Sequence, residues 1–185
     1  GVPLTGELAQ CVYLSLVSDT GSFTHGNTSA AVFTLAARLV ANGLDAAAIR
    51  EKLDNQWSMP KTKLWGKLMQ TLSLECDGTV AVCPVTMEEI GSFGAVREDL
   101  EGFAEQMRRI KGVRVAALIR QDPGNRCKLS LRSSGSDDVR SVAAFFGGGG
   151  HLNAAGATID DADMDAVTRQ TIQAIQDITF GAGEK

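Results

Sequence analysis

The chain has 185 residues, 44% hydrophobic and 22% charged, a balance that excludes a disordered protein and suits one ordinary domain or two small ones. Its net charge of −4, from 18 Lys and Arg against 22 Asp and Glu, argues against bulk electrostatic binding of long nucleic acid while leaving room for a local basic patch. No run approaches the roughly 18 apolar residues of a membrane span, and no basic, apolar leader is present.

Thr5 precedes an apolar-periodic stretch through Leu8, Val12, Leu16 and Val17, which predicts a helix that stops at the Thr20-Gly21 pair. A polar loop through HGNTS follows. The Ala-rich segment 29–41 is a second helix, capped by Thr28 or Ser29 and closed by Asn42-Gly43. Asp45 caps a third, and Pro60 opens a fourth with an apolar face of Leu64, Leu68 and Leu72. The pattern then changes. LSLE and TVAVCPV read as strands about an Asp-Gly turn, and Thr86 caps a short helix with Glu89 at its third position. A helix is expected over 99–109. VRVAALIRQ and CKLSLRS are period-2 strands about DPGN, Asp138 caps VRSVAAFF, and residues 162–178 form a helix burying Met164, Val167, Ile172, Ile175 and Ile178.

This gives an all-helical unit over 1–72 and an α+β unit over 73–185, the latter a mixed, mostly antiparallel sheet covered by helices. The first unit is small and Ala-rich. It reads as the end of a larger domain whose sheet lies elsewhere, and the opening GVPL, without an initiator Met, suits a piece of a longer chain. Cysteines 11, 76, 83 and 127 fit neither a zinc knuckle nor a CxxC pair and are expected as buried thiols in a reducing cytoplasm.

The segment FFGGGGHLNAAGATI, residues 145–159, carries the sharpest chemical signal. Successive glycines cost ordering entropy, which a fold accepts where backbone must come close to something. The amides of Gly147, Gly148, Gly149 and Gly150 can form an anion nest, residues 151–155 can begin a helix facing it, and His151 stands at the junction as a donor. The residues alone leave a flexible surface hinge as the other reading. Between Arg108 and Arg140 stand nine Lys or Arg against three acids, a local charge of +6 in a chain of −4. There Lys128, Ser130 and Arg132 share one strand face, opposite Leu129 and Leu131. Arg132 is the candidate phosphate clamp, with a solvated strand face as the plainer alternative. Asp19, at the end of an apolar helix beside Thr20-Gly21, is a candidate metal or substrate ligand or an ordinary turn aspartate. His25 follows six residues on, but one Asp and one His do not make a metal site.

SDTGSFTHGNTS (18–29), SLRSSG (130–135) and FGGGGHLNAAG (146–156), in that order, resemble the DHH phosphoesterase family, and within it the RecJ-like branch with the NrnA-type oligoribonucleases. The resemblance covers essentially the whole chain. It implies the helical end of a DHH catalytic domain plus a connector helix over 1–72, and a DHH-associated substrate-binding domain over 73–185. It further implies phosphoester hydrolysis with two Mn2+ or Mg2+ ions, on short oligoribonucleotides or on the 3′-phosphate of 3′-phosphoadenosine 5′-phosphate, in the cytoplasm. Asp19 corresponds to the family's final metal-binding Asp. Gly147 to Gly150, His151 and Asn153 correspond to the substrate-end motif, and Arg132 to a basic position on the substrate phosphate. Asp19 and His151 are then the catalytic positions. Leu152 stands where many relatives carry a basic or polar residue, and HGN (25–27) replaces a more usual aromatic or basic stretch. The family's early Asp, Asp-x-Asp and Asp-His-His motifs have no counterpart in these residues. The chain is therefore expected to bind a short single-stranded oligonucleotide or a phosphorylated nucleotide, to be inactive alone, to stand apart from membranes, and to form a homodimer if it follows the family habit. The alternatives are a non-catalytic nucleotide or single-stranded nucleic acid binding module, and an interaction domain in which the glycines are a linker.

Overall fold

Short polar side chains start the helices as their positions predict. Ser29, Asp45, Ser58, Thr86, Asp138 and Asp163 each accept a backbone N–H in the first turn of the helix that follows. Thr5 holds the same position before the first helix but makes no side-chain bond. The computed structural model describes residues 3–24 and 26–181. Its helices are α1 (Gly6–Asp19), α2 (Ala30–Ala41), α3 (Ala46–Asp54), α4 (Met59–Thr71), α5 (Met87–Ser92), α6 (Phe103–Arg108), α7 (Val139–Phe145) and α8 (Met164–Ala174). Its strands are β1 (Ser73–Glu75), β2 (Val80–Val85), β3 (Val115–Asp122), β4 (Arg126–Ser133), β5 (Gly149–His151) and β6 (Ala154–Ile159). No single helix among the described residues is long and apolar enough to cross a membrane.

Two units divide between Trp57 and Ser58. The first holds α1, α2 and α3. Phe23 stacks on Phe33 with ring centroids 5.5 Å apart, while Leu8, Leu14, Phe33, Val40 and Leu53 stay exposed. Helix α4 belongs to the second unit. It buries Leu64, Trp65 and Leu68 there, so the structural division falls ahead of the change of pattern near residue 72.

The second unit is one six-stranded sheet in the order β1-β2-β3-β4-β6-β5. β2 and β3 are parallel, joined through α5 and α6, and the other neighbours are antiparallel. One face packs Val82, Val115, Ile119, Leu129 and Leu131 against α7 and α8. The last helix buries Val167 and Ile175 and packs Met164, Ile172 and Ile178 on the same cluster, then ends in a π turn, Ile175–Phe180. The opposite face buries Ala81, Cys83, Val85, Ala116 and Leu118 under α4, α5 and α6.

Three expectations change. The helix over 99–109 is a 3-10 turn, Arg97–Leu100, and α6, separated at Gly102 with φ +84°. Trp65 donates to the Asp99 carbonyl at 2.7 Å and its ring would sit 3.6 Å from a Cβ at Gly102, so the bend seats the indole. Residues 151–155 are not a helix start but the turn of the β5–β6 hairpin. Cys11 is exposed, on the side of α1 away from buried Ala9 and Val17, and Cys76 is partly buried in the turn between β1 and β2. Cys83 and Cys127 are buried, and burial pushes the Cys83 thiol up to about 12, which makes it an inert packing group.

Candidate functional site

The three helices on the second face cover β2 and β3, and α6 reaches over part of β4, leaving the rest of that face toward β6 and β5 uncovered. β4 therefore alternates between two environments. Cys127, Leu129, Leu131 and Ser133 are buried, and Arg126, Lys128, Ser130 and Arg132 face the uncovered side. Residues of the wall formed by Arg97–Leu100 and α6 stand beside them, and together they enclose a cleft of ≈ 510 Å³, within the size range of nucleotide-scale sites.

The strand register supplies the rest of the face. Arg132 pairs with Ala154, and Ala154 pairs with His151. Paired residues point to the same side of a sheet, so Arg132 and His151 share one face, their backbones two strand spacings or about 10 Å apart. In the next row Ser130 pairs with Gly156, which pairs with Gly149. Ala154, Gly156 and Gly149 leave a low floor between the Arg132–Ser130 side and exposed His151. Among the described residues the Arg132 side chain donates to the neighbouring Leu131 carbonyl, at 2.9 Å.

The glycine run divides its labour. Gly147, at φ +74°, closes α7: its amide donates to the Ala144 carbonyl and that of Gly148 to Ala143, the pairing of a Schellman cap. Those amides serve the helix, so an anion nest over the whole run is not formed. Gly148 and Gly150 allow close backbone approach. A Cβ at Gly148 would lie on the Gly156 carbonyl oxygen and 2.6 Å from the Ala157 Cβ; one at Gly150 would lie 2.5 Å from the Ala154 carbonyl oxygen. Gly149 has neither constraint, since a Cβ there would meet nothing within 4 Å.

Asn153 sits in the hairpin turn. Its Nδ2 donates to Ser133 Oγ at 2.9 Å and to the Gly135 carbonyl at 3.1 Å, tying the turn beside His151 to the loop after β4. Ser133 Oγ donates to the Asp137 carbonyl at 2.6 Å, and Arg114 forms a two-pronged pair with the Asp137 carboxylate at 3.0 and 2.5 Å. Sequence reading missed this bracing, whose members lie up to 39 residues apart in the chain. It also missed the acidic wall of Glu98, Glu101 and Glu105 and the rim residues Arg120 and Thr158.

At one end of the cleft Arg120 Nε and Nη2 donate to the two Asp122 oxygens at 2.6 and 2.8 Å, with both side chains mostly buried. The Arg120 hydrogen bonds hold the Asp122 carboxyl below its usual range. A carboxyl lowered by folding stabilises the native state above its unfolded value, near 3.9, and loses that contribution as pH falls through the folded value. Asp122→Asn is thus expected to destabilise the second unit by about 2 kcal/mol at pH 7. It should also flatten the loss of stability below pH 4, as read by urea midpoints across pH.

Asp19 ends α1 in the first unit and is exposed, with its backbone carbonyl accepting from Asn27 Nδ2 at 2.9 Å. Gly21, Ser22 and Phe23 follow with φ between 54° and 65°, a tight left-handed turn braced by Thr20 Oγ1, which accepts from the Phe23 amide at 2.9 Å. His25 lies outside the described residues. Among the described residues no group of three or more His, Cys, Asp or Glu stands together to hold a metal. Asp19 alone does not fit a two-ion centre.

A mixed, mostly antiparallel sheet covered by helices, with a cationic strand face beside a glycine-cornered His, is the α+β architecture of a DHHA1-type associated domain. The chain belongs to the DHHA1 domain family, which it matches over residues 77–177 and which accompanies the DHH family of phosphoesterases. Over 184 residues it is 30% identical to the bifunctional oligoribonuclease and PAP phosphatase NrnA of Thermus thermophilus, covering 99% of this chain and 54% of that protein. It is 27% identical to the cyclic-di-AMP phosphodiesterase PdeA of Listeria monocytogenes, covering 92% of this chain and 25% of that one. The crystal structure of an exopolyphosphatase-related protein from Bacteroides fragilis superposes with a TM-score of 0.88 at 31% identity, over 96% of this chain and 52% of that chain. The chain thus spans about half the length of its Thermus and Bacteroides relatives.

Proposed function

We propose that this chain is the substrate-holding part of a cytoplasmic phosphoesterase that acts on short single-stranded oligonucleotides or phosphorylated nucleotides, and that it binds without hydrolysing when alone. The observation that carries this reading is the shared open face of Arg132 and His151, separated by the small residues Ala154, Gly156 and Gly149. Arg132 supplies a planar pair of donors to a terminal phosphate. His151 donates from the far side, and the low floor lets the phosphate and sugar approach the backbone. Asn153 positions the His151 turn through the loop after β4 rather than touching phosphate with its Nδ2, which is already engaged. Asp19 is assigned to Mn2+ or Mg2+ only by the likeness of its SDTGSF motif. Its partners in holding ions are to come from residues outside this chain, so hydrolysis is not expected here.

Titration with 5′-phosphorylated diadenylate in EDTA tests the proposal. Saturable binding with a Kd below about 1 mM is expected, weakening with added salt. In Mn2+ buffer the same ligand should stay intact. Absence of saturation at millimolar ligand, or turnover approaching about 1 per second, overturns it.

A further inference from the structure

The cleft beside β4 holds more cations than a single terminal phosphate uses, and their arrangement is informative. Its lining pairs off in part: Arg97 with Glu98 at 2.7 Å, and Arg120 with Asp122. Glu105 on the opposite wall is engaged by Arg108 at 2.6 Å. The β4 cations Arg126, Lys128 and Arg132 carry no carboxylate partner among the described residues. They lie on one face of one strand, with the Ser130 hydroxyl filling the remaining step. Alternate residues of a strand are about 7 Å apart, so Arg132 to Lys128 spans about 14 Å and Arg132 to Arg126 about 20 Å.

With both side chains standing off the sheet, a terminal phosphate seated on Arg132 lies about 14 Å along the strand from the Lys128 position. A stacked nucleic acid strand advances about 3.4 Å per phosphate, and an unstacked one further, so 14 Å corresponds to roughly two to four nucleotides. On the opposite wall Glu98 and Glu105 are already held by arginines, so the cations left for a phosphate chain are those of β4. We infer that Arg132, Ser130, Lys128 and Arg126 form a ladder along β4 that tracks the phosphodiester backbone of an oligonucleotide for several nucleotides beyond its terminal phosphate. This rests on the reading of the β4 face as the phosphate-holding surface. It adds that the cleft distinguishes oligonucleotides from mononucleotides by length.

The test compares 5′-AMP with 5′-phosphorylated tetra-adenylate, both in EDTA, across a salt series. Lys128→Gln is expected to lower tetranucleotide affinity about three- to fivefold and to leave 5′-AMP affinity within about twofold. It should also reduce the slope of log K against log salt by about 0.7 for the tetranucleotide alone, the release expected from one phosphate contact on a single strand. Lys128 is exposed, so the variant keeps its fold, and Lys128→Arg should restore the length dependence. Arg132→Ala is the reference and should weaken both ligands. If Arg132→Ala weakens both while Lys128→Gln acts equally on both or leaves the slope unchanged, the ladder is overturned and the terminal-phosphate site stands. If Arg132→Ala changes neither, the underlying reading fails and takes the ladder with it.

Discussion

Alanine at Gly148 is expected to destabilise the second unit by about 3 kcal/mol, lowering its thermal midpoint by roughly 10 °C. Alanine at the next position, Gly149, should leave stability within about 0.5 kcal/mol of wild type. The added methyl is the same, and its surroundings are opposite. At Gly148 it falls on the Gly156 carbonyl oxygen and 2.7 Å from the Ala157 Cα, backbone atoms held by the β4–β6 and β5–β6 ladders. Relief would require the edge hairpin to shift as a unit. At Gly149 the methyl enters open space on the face of Ser130 and Gly156. That free space is where a phosphate and sugar are proposed to rest, so Gly149→Ala should weaken diadenylate binding roughly tenfold, the order of effect one misplaced methylene has in a fitted site. Thermal melts and the EDTA titration read the two effects separately. Equal melting points for the two variants would show that the hairpin does not need its close approach, and unchanged affinity of Gly149→Ala would show that the ligand does not approach that backbone.

The two faces of β4 were legible because a half-covered strand must alternate, and KLSLRS alternates without interruption. The same rule puts Lys128, Ser130 and Arg132 together on one face. The segment after the glycines was not legible in that way. AAGAT is rich in a strong helix former, yet it is strand β6, because small side chains are what let β5 lie close to it and Gly156 pass 2.6 Å, at Cβ level, from the Leu129 carbonyl oxygen. Tertiary closeness overrode local propensity there. The glycine run suggests a single phosphate nest, since sequence does not show that Gly147 is also the end of α7. The acidic wall of the cleft depends on α6 folding over β3, and the Arg114–Asp137 brace on two loops meeting, contacts that no local pattern encodes. The boundary near residue 72 followed the change of period, whereas α4 is helical yet packs with the strands it precedes.

Leu131→Ala and Arg132→Ala, one residue apart, are expected to fail in opposite ways. Leu131 is fully buried in the cluster under α7 and α8, and its truncation should cost about 3 kcal/mol by lost burial and the cavity left behind. The open face is untouched, so the folded fraction should bind diadenylate as wild type does. Arg132 is partly exposed, and its side-chain hydrogen bond among the described residues runs to the adjacent Leu131 carbonyl. Its loss should therefore change stability by less than about 0.5 kcal/mol. Affinity should fall roughly 10- to 100-fold, the range expected when a charge-assisted pair of hydrogen bonds to phosphate is removed. Lysine at the same position keeps the charge but not the two-pronged geometry, and should recover only part of the loss. Urea unfolding and ligand titration on the same preparations separate the cases. Should Arg132→Ala unfold as easily as Leu131→Ala while binding normally, the open face of β4 is a structural surface, and the site lies elsewhere on the sheet.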